Sequence, residues 1–482
     1  DEYERFIREK EPAGDSASFA IENLGDDIEN ISHVATVFPH SKLSNYKDSF
    51  DKIKTIIEKN NGKIYAIGHH QAHAANAFFS SNIKESMIIT IDGGGIESNG
   101  SSTACTIWEG KDNNINLLHQ FHQNEFNIGG IWTRATRYIF NLQSGWPRGH
   151  QAGTVMAMAA MGDSKKYHDD FYKMLTMFKQ LLQSLILQIP FKNLCLSGGV
   201  ALNSVMVGKI RDWFPEIENV YVTPVPHDGG LTIGASQYVW HQVLENPRIE
   251  WKDSFTPYLG KTYKEEEIFE SLRSFKEKID IHTNILQEDI VELLDSQSIV
   301  SVFGGGSESG RRALGNRSIL CDPRDPNMKD TINEKVKHRQ SFRPFAPSIL
   351  KEEVKNWFTE DIDSPYMSFV LQFKEEAKEK VPAVVHLDGS ARLQTVTSND
   401  NDWYHRLLKK WHSVSSVPIL LNTSFNDREP ICENPTHAID CFLRTDIDYL
   451  YFYDYNILIS KKDTPGYNKN ILQNQEELSE NS

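Results

Sequence analysis

Apolar and polar positions along the first half of the chain separate into strand-like and helix-like stretches. The run "SMIITIDGGG" (86–95) is apolar up to its glycines, and "STACTIWEG" (102–110) reads as a return strand, so the pair predicts a hairpin with the glycine-rich segment at its turn. In "FYKMLTMFKQLLQSLILQI" (171–189) apolar residues recur at helical spacing until Pro190 stops the helix. A buried strand, "NLCLSGG" (193–199), follows, then a second helix from about Ala201, the strand "NVYVTPV" (219–225) and the loop "PHDGG" (226–230). Strand, glycine turn, helix, strand and Gly-Asp turn form a nucleotide-binding α/β rhythm.

The segment 246–260, "NPRIEWKDSFTPYLG", breaks this rhythm and predicts a linker. Beyond it lie the strand "SIVSVFGGG" (298–306), a basic stretch to about 350, the charged run "KEEAKEK" (374–380), expected as a solvated helix face or loop, and the strand "SVPILLN" (416–422). The tail from 463 is polar. With 482 residues the chain exceeds one ordinary core, and roughly 150 residues per domain suggests two or three.

Composition narrows the classes. Hydrophobic residues make up 39% and charged residues 24%, the balance of a globular protein. The net charge of −15 speaks against a surface that coats nucleic acid, while leaving room for a local phosphate site. No apolar run approaches the ~18 residues of a membrane span, and no signal peptide is seen. The cysteines Cys105, Cys195, Cys321, Cys432 and Cys441 are scattered without CxxC spacing, as in a reducing cytosol.

Candidate chemistry starts at "GHHQAHAANAFF" (68–79). His69 and His73, at i and i+4, lie on one helix face and could share a metal ion. The peptidase pattern HExxH is excluded, because His70 stands where glutamate is needed. Alone, the pair reads equally as two polar histidines. Asp92 and Asp228, each expected at a strand end and each followed by glycines, would project into the crevice where α/β sheets bind ligands. Two His with two Asp suits iron, manganese or zinc. The glycine turns, Gly93 and Gly94, Gly198 and Gly199 with Asn203, and Gly229 and Gly230, could bring backbone amides to a phosphate or adenosine; they could equally be packing turns.

The stretch 308–350 carries Arg311, Arg312, Arg317, Arg324, Lys335, Lys337, Arg339 and Arg343 inside an acidic protein. Arg343 precedes Pro344 and is biased to extended geometry. Guanidinium groups bind phosphate bidentately, so Arg312 and Arg343 are read as phosphate ligands, and the residues around 331–340 partly as a solvated basic helix. Polar residues within the apolar strands "HLDGSARLQTV" (386–396) and "LLNTSFNDREPI" (420–431) suggest a lined pocket.

Together these motifs resemble the O-carbamoyltransferase family of nodulation-factor, cephamycin and aminoglycoside biosynthesis. The matching pieces are "HHQAHAANAFF", "IDGGG", "LCLSGGVALN", "PHDGGLTIGAS", "GRRALGNRSIL", "FRPFAPSIL", "DGSARLQTV" and "LLNTSFNDREPI", in the family's order across nearly the whole chain. The resemblance implies a mixed α/β protein with an N-terminal actin/sugar-kinase-like ATPase domain (1–250) followed by a YrdC-like α/β domain (251–482). It implies that carbamoyl phosphate and ATP with Mg2+ give carbamoyl-adenylate in the second domain. The first domain then passes the carbamoyl group to a hydroxyl of a small sugar or natural-product acceptor. His69, His73, Asp92 and Asp228 match the family's metal ligands, with Fe(II) or another divalent transition metal expected. Arg312, Lys337, Arg343, Arg392 and Ser424 match the positions that hold carbamoyl phosphate and the nucleotide phosphates. Nucleic acid and membrane are not expected partners, the location is cytoplasmic, and a homodimer stays open.

Three positions depart from the family pattern. The family's first strand and His-Asp turn are absent ahead of "DEYERFIREK", which implies an actin-like sheet short of its first hairpin. "FGGGSESGRRALG" stands for the usual "FQGRMEFGPRALG", putting Gly306 in place of arginine and Arg311 in place of proline, and Thr154 replaces a lysine. Two alternatives follow. One is a fused threonylcarbamoyl enzyme of tRNA, disfavoured by the charge and by the "GNRSIL" and "RPFAP" blocks. The other is a catalytically weak nucleotide-binding protein, suggested by the missing hairpin and Gly306.

Overall fold

The computed structural model describes residues 30–37, 47–134, 136, 138, 168–252, 254–427 and 429–462. The start "DEYERFIREK" and Thr154 fall outside these residues. The chain is mixed α/β and divides into two compact units. The first comprises Asp1–Pro257, Ser309–Arg311 and Ser364–Leu371; the second comprises Tyr258–Glu308, Arg312–Asp363 and Gln372–Ser482.

In the first unit, β1 (His33–Thr36) and β2 (Lys63–Ala66) form a parallel pair. A five-stranded sheet holds β3 (Glu85–Ile96), β4 (Ser102–Lys111), β5 (Asn114–His122), β6 (Asn193–Ser197) and β7 (Asn219–Val222) in the order β5-β4-β3-β6-β7. β3 runs antiparallel to β4 and parallel to β6, so a local meander meets a non-local parallel half at β3.

The hairpin forms, but its turn is not made by the glycines. Pairing between β3 and β4 resumes at Gly95 opposite Thr103 after an irregularity between Ile91 and Gly95, so Asp92, Gly93 and Gly94 form a bulge inside the strand. The turn proper lies at 97–101, where Gly100 N–H donates to the Glu97 carbonyl. Asp92 is thus turned out of the ladder mid-strand. β5 was not foreseen. The helix expected from Ala201 is a short 3-10 turn, Gly199–Leu202, followed by Ser204–Gly208 and Ile210–Trp213. Asp228 does not end a strand: β7 stops at Val222, and Asp228 opens a 3-10 turn with Gly229 and Gly230.

The helix His69–Phe79 is buried at ten of its eleven positions. Its alanines permit close approach, and Ala74, Ala75, Ala77, Phe78 and Phe79 pack with Ile88, Trp108, Ile115 and Cys195. Both ends are capped by charge of the sign that opposes the helix dipole. At the N-terminus the buried Glu97 carboxylate accepts the His70 N–H at 2.9 Å. At the C-terminus the Arg248 guanidinium donates to the carbonyls of Phe78 (2.6 Å), Ser81 (2.6 Å) and Ile83 (2.7 Å) and lies 4.3 Å from the centre of the Phe78 ring. Arg248 belongs to the stretch read from sequence as a featureless linker.

In the second unit β8 (Ile279–His282), β9 (Val300–Phe303), β10 (Arg317–Cys321), β11 (Ala346–Leu350), β12 (Ser390–Val396), β13 (Ile419–Ser424), β14 (Tyr449–Phe452) and β15 (Ile457–Lys461) lie in one mixed sheet. Their order is β12-β11-β13-β10-β9-β14-β15-β8. The helices Gln287–Asp295 and Asp402–Ser415 cover one face through Ile290, Leu294, Leu407, Leu408 and Trp411. The charged run 374–380 contains the short helix Glu375–Lys378. Among the described residues no helix is long and apolar enough to cross a membrane.

Arg248→Met keeps the apolar stem and removes the donors, leaving three carbonyls without their cap. A loss of about 2–4 kcal/mol in unfolding free energy is expected, read by urea titration of tryptophan emission. A change below about 0.5 kcal/mol would show that water takes over the carbonyls at no cost.

Candidate active sites

The first unit brings His69, His73, Asp92 and Asp228 together, one ligand atom of each lying within 4.8 Å of the others. His73 Nε2 is 3.2 Å from Asp92 Oδ2 and 3.4 Å from Asp228 Oδ1; His69 Nε2 is 3.9 Å and 3.6 Å from the same atoms. Both Nε2 atoms are buried, and neither makes a hydrogen bond. Ligands about 2.0–2.2 Å from a shared metal stand about 3 Å or slightly more from one another, so the observed spacings suit a metal centre. These donors fit a divalent transition ion.

Each ligand is aimed by a neighbour. The Ser197 hydroxyl has one proton and gives it to the Pro226 carbonyl (3.1 Å), so it accepts from His73 Nδ1 (3.2 Å). That leaves Nε2 facing the carboxylates, and in the neutral ring, once a cation displaces the Nε2 proton, it is the atom with the lone pair. Asp92 Oδ1 accepts the Gly93 N–H (2.5 Å) and Oδ2 the Gly199 N–H (3.1 Å). Gly198 makes the second bond reachable: its φ is +91°, and a Cβ there would stand 2.1 Å from the Ile91 carbonyl oxygen. Asn76, one turn beyond His73, donates to the Val225 carbonyl (2.9 Å) and accepts from the Thr223 hydroxyl (3.1 Å), which ties down the approach to Asp228.

The N–H groups of Gly93, Gly198, Gly199 and Gly230 therefore all have partners within the protein, the last two being Asp92 and the His227 carbonyl. Gly94, at φ +145°, lies against Gln123; Gly229 lies against His227; Asn203 accepts the Met206 N–H as a helix cap. In this geometry the glycine turns serve the carboxylates.

Electrostatics follow the same design. Burial alone would lower the His73 pKa, but the Asp228 and Asp92 carboxylates raise it to about 9. Burial works against ionised Asp92, yet His69, His73 and the Gly93 N–H hold it well below the usual carboxylate range. His70, the third histidine of the motif, is not a ligand. Trp108 Nε1–H donates to the Thr106 hydroxyl (2.6 Å), Thr106 to Thr90 (2.6 Å), Thr90 to His70 Nδ1 (2.5 Å), and His70 Nε2–H to the Thr103 carbonyl (3.1 Å). Burial, with His73 and His69 beside it, lowers its pKa to about 3, so the ring is neutral.

In the second unit the basic stretch sorts into two groups. Arg317 is buried, stacked 3.6 Å from the centre of the Phe303 ring, and donates to the carbonyls of Gly304 and Asn316; Arg324 pairs with Asp322 and Asp295. These two hold the fold. Arg312 lies in a turn pinned by the buried Glu308, whose Oε1 accepts the N–H groups of Leu314 (2.7 Å) and Asn316 (2.9 Å). The polar strand residues support the same turn, Gln394 Nε2 donating to the Leu314 carbonyl and Asn422 Nδ2 to that of Ala313. Gly306, the position of the family's arginine, packs against backbone: a Cβ would lie 2.7 Å from the Gly260 carbonyl oxygen.

Lys337 is buried and its Nζ meets the Ser424 carbonyl, the Ser424 hydroxyl (3.2 Å) and the Asn426 carbonyl (2.7 Å) and Oδ1 (2.8 Å). Burial and then the Arg339 guanidinium lower its pKa to about 7. Burial also lowers Arg343, and burial with Arg339 and Arg343 brings Arg392 to about 10. Arg392 Nε is buried without a partner. Sequence reading took the residues around 331–340 partly as a solvated helix and did not single out Arg339, Glu308, Asn333 or His386. Two scattered cysteines, Cys432 and Cys441, also meet here, near Glu429, which pairs with Arg444.

An imidazole–carboxylate centre in one unit and clustered guanidinium groups in the other suit group transfer from an anionic donor. Residues 291–460 match the carbamoyltransferase C-terminus family and residues 174–237 the carbamoyltransferase N-terminus family. Nodulation protein NolO of Bradyrhizobium diazoefficiens is 31% identical over 441 residues, covering 80% of this chain and 77% of that protein. Nodulation protein NolNO of Sinorhizobium fredii is 31% identical over 458 residues, covering 83% of this chain and 64% of that protein. Nodulation protein U of the same species is 36% identical over 236 residues, covering 49% and 40%. The chain belongs to the carbamoyltransferase family and is a carbamoyltransferase. Among solved structures, full-length HypF in the phosphate- and nucleotide-bound form aligns at TM-score 0.34 with 13% identity over 45% of this chain and 48% of that one, too slight a likeness to carry an argument.

The depressed Lys337 pKa has a measurable consequence. Its folded value of about 7 lies below the unfolded value of about 10.4, so between these pH values the unfolded chain binds the extra proton and this group's contribution to stability rises with pH. The stability difference between wild type and Lys337→Met should therefore climb from pH 7 to 10, by at most about 1.4 kcal/mol per pH unit. Urea melts across that range check it; a flat or falling difference would contradict the assignment.

Proposed function

We propose that this carbamoyltransferase is an ATP-dependent O-carbamoyltransferase with two separate chemical steps. In this reading the YrdC-like domain (251–482) converts carbamoyl phosphate, ATP and a water, with Mg2+, into carbamoyl-adenylate, with phosphate and pyrophosphate as the leaving groups. The actin/sugar-kinase-like domain (1–250) transfers the carbamoyl group to a hydroxyl of a small sugar or natural-product acceptor, with AMP leaving. The enzyme works in the cytoplasm. The observation that carries the reading is the cluster of half-buried guanidinium groups around Arg392, which have no carboxylate partner among the described residues.

Two anionic substrates repel each other, so adenylation needs fixed positive charge where they meet. Arg312, Arg343 and Arg392 are read as the phosphate ligands, and guanidinium forks suit this because they keep their charge when partly buried. Lys337 holds the Ser424 turn through its Nζ, and both are read as further contacts of the same substrate. In the first domain His69, His73, Asp92 and Asp228 would hold a divalent transition ion, Fe(II) by the resemblance, which when bound supplies Lewis-acid polarisation of a carbonyl. Ser197 and the Gly93 and Gly199 amides keep the ligand atoms aimed, so little reorganisation accompanies transfer.

Metal content tests the first centre. Purified wild-type protein is expected to carry a transition metal, and His73→Ala to retain less than about a tenth of it by elemental analysis. Equal content in both would remove His73 from the ligand set.

The separation of steps is tested by half-reactions. Arg343→Ala should abolish carbamoyl-adenylate formation while metal content stays at the wild-type level. His73→Ala should still form carbamoyl-adenylate and fail at transfer. Loss of the same half-reaction in both variants would count against two sites, and dependence on threonine and bicarbonate would point to the tRNA-modifying chemistry instead.

A further inference from the structure

We infer that Cys432 and Cys441 are a redox pair, oxidised by a low-molecular-weight disulfide to an internal disulfide that unseats the Ser424–Asn426 turn around Lys337. The consequence for catalysis rests on the reading of Lys337 and Ser424 as substrate contacts; the formation of the bond does not.

The two sulfurs and a carboxylate oxygen of Glu429 lie within 4.8 Å of one another, and both cysteines are free and fully buried. A disulfide brings its sulfurs to about 2.05 Å, a contraction that side-chain rotation with a small backbone shift supplies. The backbone sets Cys432 apart from the cysteines of the sheets. Cys105, Cys195 and Cys321 lie in β4, β6 and β10. Cys432 lies in the irregular link between β13 and the helix Pro435–Arg444, which carries Cys441. Such links open locally at less cost than a sheet ladder, so Cys432 is the sulfur a reagent reaches first. Cys441 keeps its proton meanwhile: its hydrogen bond with Cys432, and then burial, push its thiol up, with Lys337 acting in the opposite direction.

The chemistry follows from that order. The Cys432 thiolate attacks one sulfur of the small disulfide and expels one thiol. Cys441 then attacks the Cys432 sulfur of the mixed disulfide, which closes the internal bond and expels the second thiol. Two electrons and two protons thus pass from the pair to the oxidant, with Glu429 placed to relay the proton of the resolving thiol. Two sulfurs and a carboxylate also resemble the donors of a soft cation. Positive charge already occupies that neighbourhood, however: Arg444 pairs with Glu429, and Lys337 interacts electrostatically with all three residues.

The path to Lys337 is short. Cys432 N–H donates to the Phe425 carbonyl (2.9 Å), and the Glu429 carbonyl accepts from Asn426 Nδ2 (2.5 Å). Ser424 and Asn426, on either side of Phe425, supply the Lys337 Nζ acceptors. Drawing Cys432 toward the helix therefore pulls on the segment that carries them.

The test equilibrates full-length wild type, Cys432→Ala, Cys441→Ala and the double variant with oxidised glutathione, then returns them to dithiothreitol. Mass spectrometry reads the bond, amine acylation at Lys337 reads the turn, and carbamoyl-adenylate formation reads the chemistry. Oxidised wild type is expected to lose two hydrogens, to yield a peptide linked between Cys432 and Cys441, and to acylate faster at Lys337. Loss of charged hydrogen bonds at Lys337 should slow carbamoyl-adenylate formation about tenfold, and dithiothreitol should restore it. Cys441→Ala should stop at a glutathione adduct on Cys432, Cys432→Ala should leave Cys441 unmodified, and the double variant should keep the reduced rate under oxidant. Thiols packed for volume alone would stay reduced, and that result would overturn the inference. So would a bond that leaves Lys337 acylation unchanged, or a co-purifying zinc ion lost in Cys441→Ala. If the bond and the acylation behave as expected while reduced wild type forms no carbamoyl-adenylate, the redox pair stands and the proposed function falls.

Discussion

A carboxylate taken out of water stays ionised only when N–H groups and positive charge face it, and the first unit is organised around meeting that demand at Asp92. The bulge turns Asp92 out of the β3 ladder, the Gly93 and Gly199 amides bind its two oxygens, and the imidazoles of His69 and His73 face one of them. Gly198 has to be left-handed for the Gly199 amide to arrive. The histidine helix has to be small-residue and buried so that its first turns reach the bulge. Remove the carboxylate and most of these features lose their reason.

The second unit solves the opposite problem. Where charge serves the fold, it is neutralised: Arg317 by carbonyls and the Phe303 ring, Arg324 by Asp322 and Asp295. Around Arg339, Arg343 and Arg392 no carboxylate partner stands among the described residues, while uncharged amides (Asn333, Gln394 and Asn422) hold the backbone segments that carry the cluster or lead to Arg312. Buried amides suit that task because they fix geometry without adding a countercharge. One rule, that buried charge needs a partner, thus separates Arg317 and Arg324, which hold the fold, from the arginines proposed to meet a substrate.

How much of this could be read in advance depends on the range of the interaction. The pairing of His69 with His73 was legible because helical periodicity is local, and Asp92 and Asp228 were legible because glycines follow them. What those glycines do was not. A bulge and a hairpin turn share the same residue types, and only the register of β3 against β4 distinguishes them. Glu97, Ser197 and Arg248 act across 27, 124 and up to 170 positions, distances at which a single sequence carries no pairing signal. The packing of Arg339 was hidden for a related reason. An arginine beside a helix end looks solvated until the fold shows that Asn333 has already claimed one face of it.

The sheet of the first unit also has a history written into its connections. β3, β4 and β5 follow one another through the short links 97–101 and 112–113, whereas β6 joins β3 from about a hundred residues downstream, pairing Ile88 with Cys195. Short loops close quickly and long ones slowly, so the meander is expected to form first and the parallel half to dock afterwards. Asp92 comes from the early part; Ser197, Gly199 and Asp228 come from the late part. The centre would then be assembled by the last event in the folding of its unit, which makes it a built-in report of completion. Pulsed hydrogen exchange that protected β6 no later than β4 would refute that order.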